Sequence, residues 1–320
     1  MSTESKAVSP KPEYSKLTLG IAPDSWGVWF PDDEKQIDPM TTLDQMAEAG
    51  FEYLETGPFS YTWERGAESY FPNQTYALRE ATESRGLKVI ACTEAGVLHH
   101  KEAWKLTEAG LRANAEVVAP LGAKHLVFLP PSYIDYKTWE DTDDRKLDDA
   151  TWHTYMDGLN HMGRLLKEDY GITLQLHSHG DTHIETREDI DRMMADTDPE
   201  WVSFCLDTGH VVYGGEDPLA LIRDYPDRVG YVHIKAMDTD VLAEARKNGW
   251  PFGEAVAHGV SVTPPKGKPE MKALVDALAG LDKELYVVIE QDLYPVDPAF
   301  PLPNAIATRE YLAECNLGRK

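Results

Sequence analysis

Eight short β-rich runs, each followed by a longer helix-patterned stretch, set the tightest limit on how this chain of 320 residues folds. The runs are KLTLGIAPDSW at 16–26, FEYLETG at 51–57, LKVIACTEAG at 87–96 and HLVFLPP at 125–131, then ITLQLHSH at 172–179, VSFCLDTGH at 202–210, VGYVHIKAMD at 229–238 and LYVVIEQD at 285–292. Between them stand helix-like segments such as TTLDQMAEAG, TEAGLRANAEVVAPLG and TWHTYMDGLNHMGRLLKEDYG. Gly50, Gly86, Gly122 and Gly171 each close such a segment just before the next run, the place where a helix C-terminus favours a left-handed residue. Alternating β and α elements call for a parallel sheet. Eight units with no break in composition favour closure into a single (β/α)8 barrel, α/β in class, over an open doubly wound sheet. Residues 1–16, polar and Pro-containing, are expected to be a flexible tail, and 17–320 the barrel domain. Residues 237–268 carry no strand-like run. With Gly249, Gly253, Gly259, Pro251, Pro264 and Pro265 they suggest an ordered lid built from turns, one of several long loops at the C-terminal face.

A barrel of this kind places its chemistry at the C-terminal ends of its strands and on the loops that follow. Because strand side chains alternate between faces, the last four runs can be read for what points inward. Leu174 and Leu176, Phe204 and Leu206, Val232 and Ile234, and Val287 and Ile289 share the apolar faces. Opposite them, near the C-terminal ends, lie His177, Asp207, His233 and Glu290. A lone strand-end histidine is usually a hydrogen-bonded core residue. Four such groups in matching register converge on one point, and two imidazoles with two carboxylates suit Mn²⁺, Zn²⁺, Fe²⁺ or Co²⁺.

Other polar residues fall close by. His210, three past Asp207, lies within reach of a bound ligand, or else is a surface residue at a helix start. His179 continues the register of His177 and is read as a further ligand or a base, and His183 and Glu185 follow in the loop HGDTHIET. Glu185 alternatively opens a helix, where a carboxylate opposes the macrodipole. Lys235, two past His233, is read as an acid or base with a lowered pKa, or as an ion-pair partner. Glu55 and Glu94 end the second and third runs and are candidates for binding a substrate hydroxyl, for acting as a base, or for ion pairing. Aromatic residues crowd the first two loops: Trp26, Trp29 and Phe30, then Phe59, Tyr61, Trp63, Tyr70 and Phe71. Such rings suit the C–H faces of sugars, with packing against a neighbouring subunit as the bland alternative.

Composition removes several function classes. Thirty-one basic against 55 acidic residues give a net charge of -24, which opposes nucleic-acid binding and favours a small-molecule partner. No run of about 18 apolar residues occurs, so no membrane partner is expected. The polar start is no signal peptide, and a cytoplasmic location is the expectation. Cys92, Cys205 and Cys315 are too sparse for a disulfide framework or a zinc-finger spacing, and the first two sit in apolar runs as buried hydrophobes.

The chain resembles the xylose-isomerase-like TIM-barrel superfamily, often labelled sugar phosphate isomerase/epimerase, and within it the inosose (2-keto-myo-inositol) dehydratases. The resemblance rests on GIAPDSWG, HSHGDTHIET, LDTGH, VHIK, FGEAVAHGVSVTPPKG and VVIEQD, and spans roughly 17–315. Related ketose epimerases hold a metal by Glu, Asp, His and Glu on strands five to eight. The last three match Asp207, His233 and Glu290. The first falls on His177, a departure that inosose-dehydratase-like members share, and it counts against 3-epimerisation because the missing Glu is one of the epimerase bases. The family's substrate-contacting His matches His210. The resemblance implies a divalent metal, Mn²⁺ first, with Co²⁺, Zn²⁺, Fe²⁺ or Mg²⁺ as alternatives. It also implies a keto-sugar or keto-cyclitol substrate. The expected reaction is α-proton abstraction by Glu290, His179 or Lys235 and β-elimination of a hydroxyl. A sugar isomerase or epimerase, or a 3-keto-glycoside (C-glycoside) deglycosidase subunit, is the alternative. The assembly is left open between a homo-oligomer and a complex with a small partner subunit. A DNA-repair endonuclease of the same fold is disfavoured by the charge.

Overall fold

A computed structural model describes residues 12–29, 35–56, 74–135 and 138–319. The aromatic residues Phe30, Phe59, Tyr61, Trp63, Tyr70 and Phe71 lie outside them. Eight strands close a barrel: β1 (Leu17–Ile21), β2 (Tyr53–Glu55), β3 (Lys88–Ala95), β4 (His125–Leu129), β5 (Thr173–His177), β6 (Val202–Asp207), β7 (Val229–Ile234) and β10 (Leu285–Ile289). Each pairs in parallel with its sequence neighbours, and β10 closes on β1 through the register Leu17↔Leu285 to Ile21↔Ile289. The expected single (β/α)8 barrel is therefore what the chain forms, with every barrel strand inside one of the eight runs.

Two apolar layers follow from the two strand faces. Ile90, Ala91, Val127, Cys205, Tyr231 and Val288 fill the barrel interior. Leu174, Leu176, Phe204, Leu206, Val232, Ile234, Val287 and Ile289 turn outward against the helices in one large core. Each such side chain is worth roughly 1.5–3 kcal/mol when fully buried, so the outward face fixes which side chains remain to point inward. The 22-residue helix Asp149–Tyr170 shows how the sequence sets its own boundaries: Asp148 accepts from Thr151 N at the start, and Gly171, at φ 66°, ends it directly before β5.

Two parts of the architecture are more ordered than their sequences suggest. Residues 12–16, assigned to the tail, lie against the barrel, where Tyr14 Oη donates to Asp276 at 2.7 Å and Glu13 N to Ala279 O at 3.0 Å. The segment after β7 is more than turns. It holds an antiparallel pair, β8 (Ala236–Met237) with β9 (Ser261–Val262), and the helices Thr239–Asn248 and Phe252–Ala257. Two-residue strands leave no periodic pattern to read. Its apolar side chains form their own small core around Met237, Leu242, Phe252 and Val260. Among the described residues, no helix is long and apolar enough to cross a membrane.

Candidate active site

Strand register carries the four inward groups to one place. Asp207 pairs directly with His233, and His177 pairs with Cys205, two residues before Asp207 on β6. Glu290 follows β10, held by Glu290 N donating to Ile234 O at 3.1 Å. One ligand atom from each of His177, Asp207, His233 and Glu290 lies within 4.8 Å of all the others, and all four residues are buried. His177 Nε2 is 3.1 Å from Asp207 Oδ2 and 4.0 Å from Glu290 Oε2. His233 Nδ1 is 2.6 Å from Glu290 Oε2 and 3.6 Å from Asp207 Oδ2.

Two local devices aim these atoms. Asp207 caps the helix Thr208–Tyr213, its Oδ1 accepting from His210 N at 2.8 Å, which leaves Oδ2 for the centre. Glu55, buried on β2, accepts at 2.9 Å from His233 Nε2 and takes a further hydrogen bond from Thr93 Oγ1. With its proton on Nε2, a neutral His233 presents a bare Nδ1 lone pair to two carboxylate oxygens. Lone pair against lone pair at 2.6 Å is repulsive unless a cation stands between them. Neither His233 Nδ1 nor Glu290 Oε2 makes a hydrogen bond. Burial opposes a charged His233, yet the carboxylates of Glu290 and Glu55 outweigh it and hold the imidazole pKa well above the usual range, so a proton is retained where a cation is wanted. The donor set, two imidazole nitrogens and two carboxylates in a buried cage, fits a divalent metal ion. Cys205 also reaches His177 and His233, but burial pushes its thiol up to about 12, so the uncharged sulfur is the poorer ligand.

Lys235, predicted with a lowered pKa, behaves oppositely. Its Nζ lies 2.8 Å from Asp292 Oδ2, 3.0 Å from Glu290 Oε2 and 3.3 Å from Asp207 Oδ2. Burial disfavours the ammonium, but these three carboxylates raise it well above the ordinary lysine range. Asp292 and Asp24 were not singled out from the sequence. Burial pushes Asp292 up to about 7, and burial with Glu290 nearby raises Asp24 well above the carboxylate range. Asp292 had a readable signal, since it sits two past Glu290 on the same face. Asp24 had none, because it lies in the 3-10 turn Pro23–Trp26.

His210 is buried rather than on the surface, with Gly180 N donating to its Nδ1 at 3.1 Å and Lys235 Nζ 3.1 Å from its Nε2. His179 lies against it, the rings tilted by 32° with centroids 3.8 Å apart, and is the partly exposed member of the group. Its Nδ1 lies 2.6 Å from Gly180 O, so Nδ1 carries the proton and Nε2 the lone pair. Burial, His177 and Lys235 depress its pKa to about 3.

Two residues expected to touch substrate are directed elsewhere. Glu94 faces the helix layer, where Asn114 Nδ2 donates to it and Gly110 leaves room for its carboxyl group. Trp26 is fully buried in the outer core and donates to Gln45 Oε1 at 2.7 Å. Its neighbour Trp29 stands at the mouth instead, stacked on Tyr294 at 5.7 Å and near Phe252 at 6.4 Å. Phe252 in turn covers His210 and His179, at 4.5 and 5.1 Å.

Glu185 does not open a helix, which starts at Arg187 behind the cap Thr186. Its Oε2 accepts from Tyr133 Oη at 3.1 Å and Asp181 N at 3.2 Å, and burial with Asp181 nearby pushes its pKa up to about 7. Between these values the folded state therefore holds a proton that the unfolded chain, with the ordinary glutamate value of 4.5, has released. Stability falls as pH rises from the unfolded towards the folded value, by as much as roughly 3 kcal/mol. Glu185→Gln keeps an acceptor oxygen and removes the titration. Its melting temperature is expected to exceed that of the parent at pH 8 and to match it near pH 4, in thermal scans across that range. Equal differences at both ends would refute the assignment.

Comparison with known proteins agrees with this architecture. A family profile described as xylose isomerase-like TIM barrel matches residues 43–307. An inosose dehydratase from Geobacillus thermodenitrificans is 32% identical over 313 residues, covering 95% of this chain and 99% of its own. Among solved structures, the probable 3-DHS dehydratase AsbF from Bacillus anthracis superposes with a TM-score of 0.69 at 11% identity, covering 92% of this chain and 98% of its own. The IolI protein with a bound zinc atom gives 0.68 at 15%, covering 94% and 99%. The chain belongs to the xylose isomerase-like TIM barrel family.

Proposed function

We propose that this protein is a divalent-metal-dependent lyase that dehydrates a keto-cyclitol of the inosose type. The observation that carries the reading is the convergence of His177, Asp207, His233 and Glu290, with one ligand atom of each within 4.8 Å of the others in a buried place suited to a cation. Support comes from the full-length relatives named inosose dehydratase. His177, Asp207, His233 and Glu290 would hold the ion, with Mn²⁺ favoured for the mixed nitrogen and oxygen donors. When bound, such an ion supplies Lewis-acid polarisation of the substrate ketone.

The chain's own residues supply the rest. His179 Nε2, unprotonated and partly exposed, takes the proton from the carbon beside the ketone. Glu290 is less suited to that role, since Lys235 and His233 occupy its carboxylate and hold it ionised. Lys235 and Asp292, 2.8 Å apart, hold a proton between them and protonate the departing β-hydroxyl. The C–H electron pair becomes the new C=C bond, the C–O bond breaks, and water leaves. His210 and the Trp29–Phe252 wall position the ring, with the C–H faces of a cyclitol against the aromatics.

The test is incubation of the Mn²⁺-loaded protein with scyllo-inosose and a small panel of 3-keto-glycosides. A product lighter by one water, with enone or dione absorbance, supports the reading. An unchanged mass with a new chromatographic peak replaces it by an isomerase or epimerase, and release of an aglycone by a deglycosidase.

Glu55 is assigned a positioning role in place of substrate binding. Glu55→Gln loses the negative charge that fixes the Nε2 proton of His233. Metal affinity is expected to fall about 10- to 100-fold in chelator competition. An unchanged affinity would return Glu55 to a merely structural role.

A further inference from the structure

A second group of metal-capable side chains stands on the loops after β3, β4 and β5, and the proposed reaction does not use it. His99 Nε2 lies 2.8 Å from Asp143 Oδ2, and His183 Nε2 lies 3.6 Å from the same oxygen, too far for a hydrogen bond. The rings of His99 and His183 are 5.0 Å apart, and those of His99 and His100 are 4.2 Å apart. Asp143 Oδ1 is already engaged by Asp144 N at 2.7 Å, so Oδ2 is the oxygen left for the imidazoles. One ligand atom each from His99, His100 and Asp143 falls within 4.8 Å of the other two.

The independent sign of a missing ligand is His99, whose side chain is 4% exposed and whose Nδ1 has no hydrogen-bond partner. The hydroxyl of Tyr155, whose ring lies 6.2 Å from that of His99, is also buried and unpartnered. His183, 1% exposed, has the Arg145 backbone and Asp143 beside its ring. Leaving buried polar atoms unpaired costs about 1–3 kcal/mol each, so a pair of them in one place calls for a bound species. Burial lowers the pKa of both His99 and His183, which leaves neutral rings with lone pairs, while Asp143 is held ionised. His99 Nε2 donates to Asp143, which leaves the ring's lone pair on the unpartnered Nδ1. A buried lone pair and a carboxylate in one place recognise a cation and repel an anion. The partly exposed Asp143 and the exposed His100 leave the ion a way in.

We propose that His99, His100 and Asp143 form a second metal site, with His183 as the fourth donor at hand, suited to Zn²⁺ or a similar borderline cation. Three imidazoles and one carboxylate are a donor set that zinc takes in tetrahedral geometry. Occupied, the site ties together the three loops that frame one side of the barrel mouth.

The experiment is Zn²⁺ titration of the chelator-stripped full chain, with bound metal per chain read by elemental analysis after dialysis. The parent is expected to bind about two ions, one at each cluster. His99→Gln and His100→Asn should each retain only the ion bound by the quartet, and Asp207→Asn only the ion bound here. Circular dichroism checks that each variant is folded; His100 is exposed, so its variant is the safeguard if His99→Gln misfolds. One ion in the parent, lost in Asp207→Asn and kept in both histidine variants, overturns the second site. One ion lost in the histidine variants and kept in Asp207→Asn upholds it and sinks the quartet reading instead.

Discussion

Asp207→Asn is expected to lose both the bound metal and turnover, with kcat down by roughly three orders of magnitude, since a metal Lewis acid contributes several kcal/mol. The substitution is chosen because Asp207 does two separable things. Its Oδ1 caps the helix that carries His210, and its Oδ2 faces His177, His233 and Lys235. Asparagine is nearly as good a cap as aspartate, so the helix Thr208–Tyr213 keeps its start. The amide nitrogen then turns toward the centre, where it offers donors to an ammonium and to would-be ligand atoms. Metal content by elemental analysis and turnover of an accepted substrate should fall together, with the circular dichroism spectrum unchanged. A folded variant that keeps its metal and most of its activity would remove Asp207 from the site.

How much of this was readable in the sequence depended on whether the period-two pattern held. It held on β5 and β6, on β7 from Tyr231 onward, past a register shift at Gly230, and into Glu290 after β10, where apolar faces against the helices fix the register. There the alternation alone brings His177, Asp207, His233 and Glu290 to one end of the barrel interior. It failed on β3. Leu54 pairs with Val89 and Glu55 with Ala91, so the register skips Ile90, and both Ile90 and Ala91 point into the barrel. A bulge of this kind reverses the parity of everything that follows. Thr93 is therefore inward, on Glu55, while Glu94 points to Asn114 in the helix layer. No composition signal marks the bulge. The role of Glu55 was hidden for another reason: its partner His233 is 178 residues away, and only barrel closure brings them within 2.9 Å. Trp26 and Trp29 show the same limit in a loop, since the 3-10 turn at Pro23–Trp26 sends one ring into the core, leaving the other at the mouth.

The choice of base is where the structure departs most from what residue types suggest, and His179→Phe tests it. Lysine beside a metal invites the role of base, but Lys235 is enclosed by three carboxylates that hold its proton. His179 is weakly basic, depressed to about 3, and is therefore unprotonated throughout the neutral range. Its Nδ1 is fixed on Gly180 O, so the free lone pair on Nε2 is not in doubt once the ring is neutral. Phenylalanine preserves the tilted ring contact with His210 and the edge contact with Phe252 while removing that nitrogen. Loss of a general base costs about 10²- to 10⁴-fold in rate. The variant should show that loss in kcat with its metal content intact, and should also stop exchanging the substrate's α-hydrogen in deuterated solvent. Lys235→Met, by contrast, should leave that exchange running while product formation falls, because removing the acid spares the first proton transfer. Exchange abolished in the lysine variant and retained in His179→Phe would reverse the two assignments.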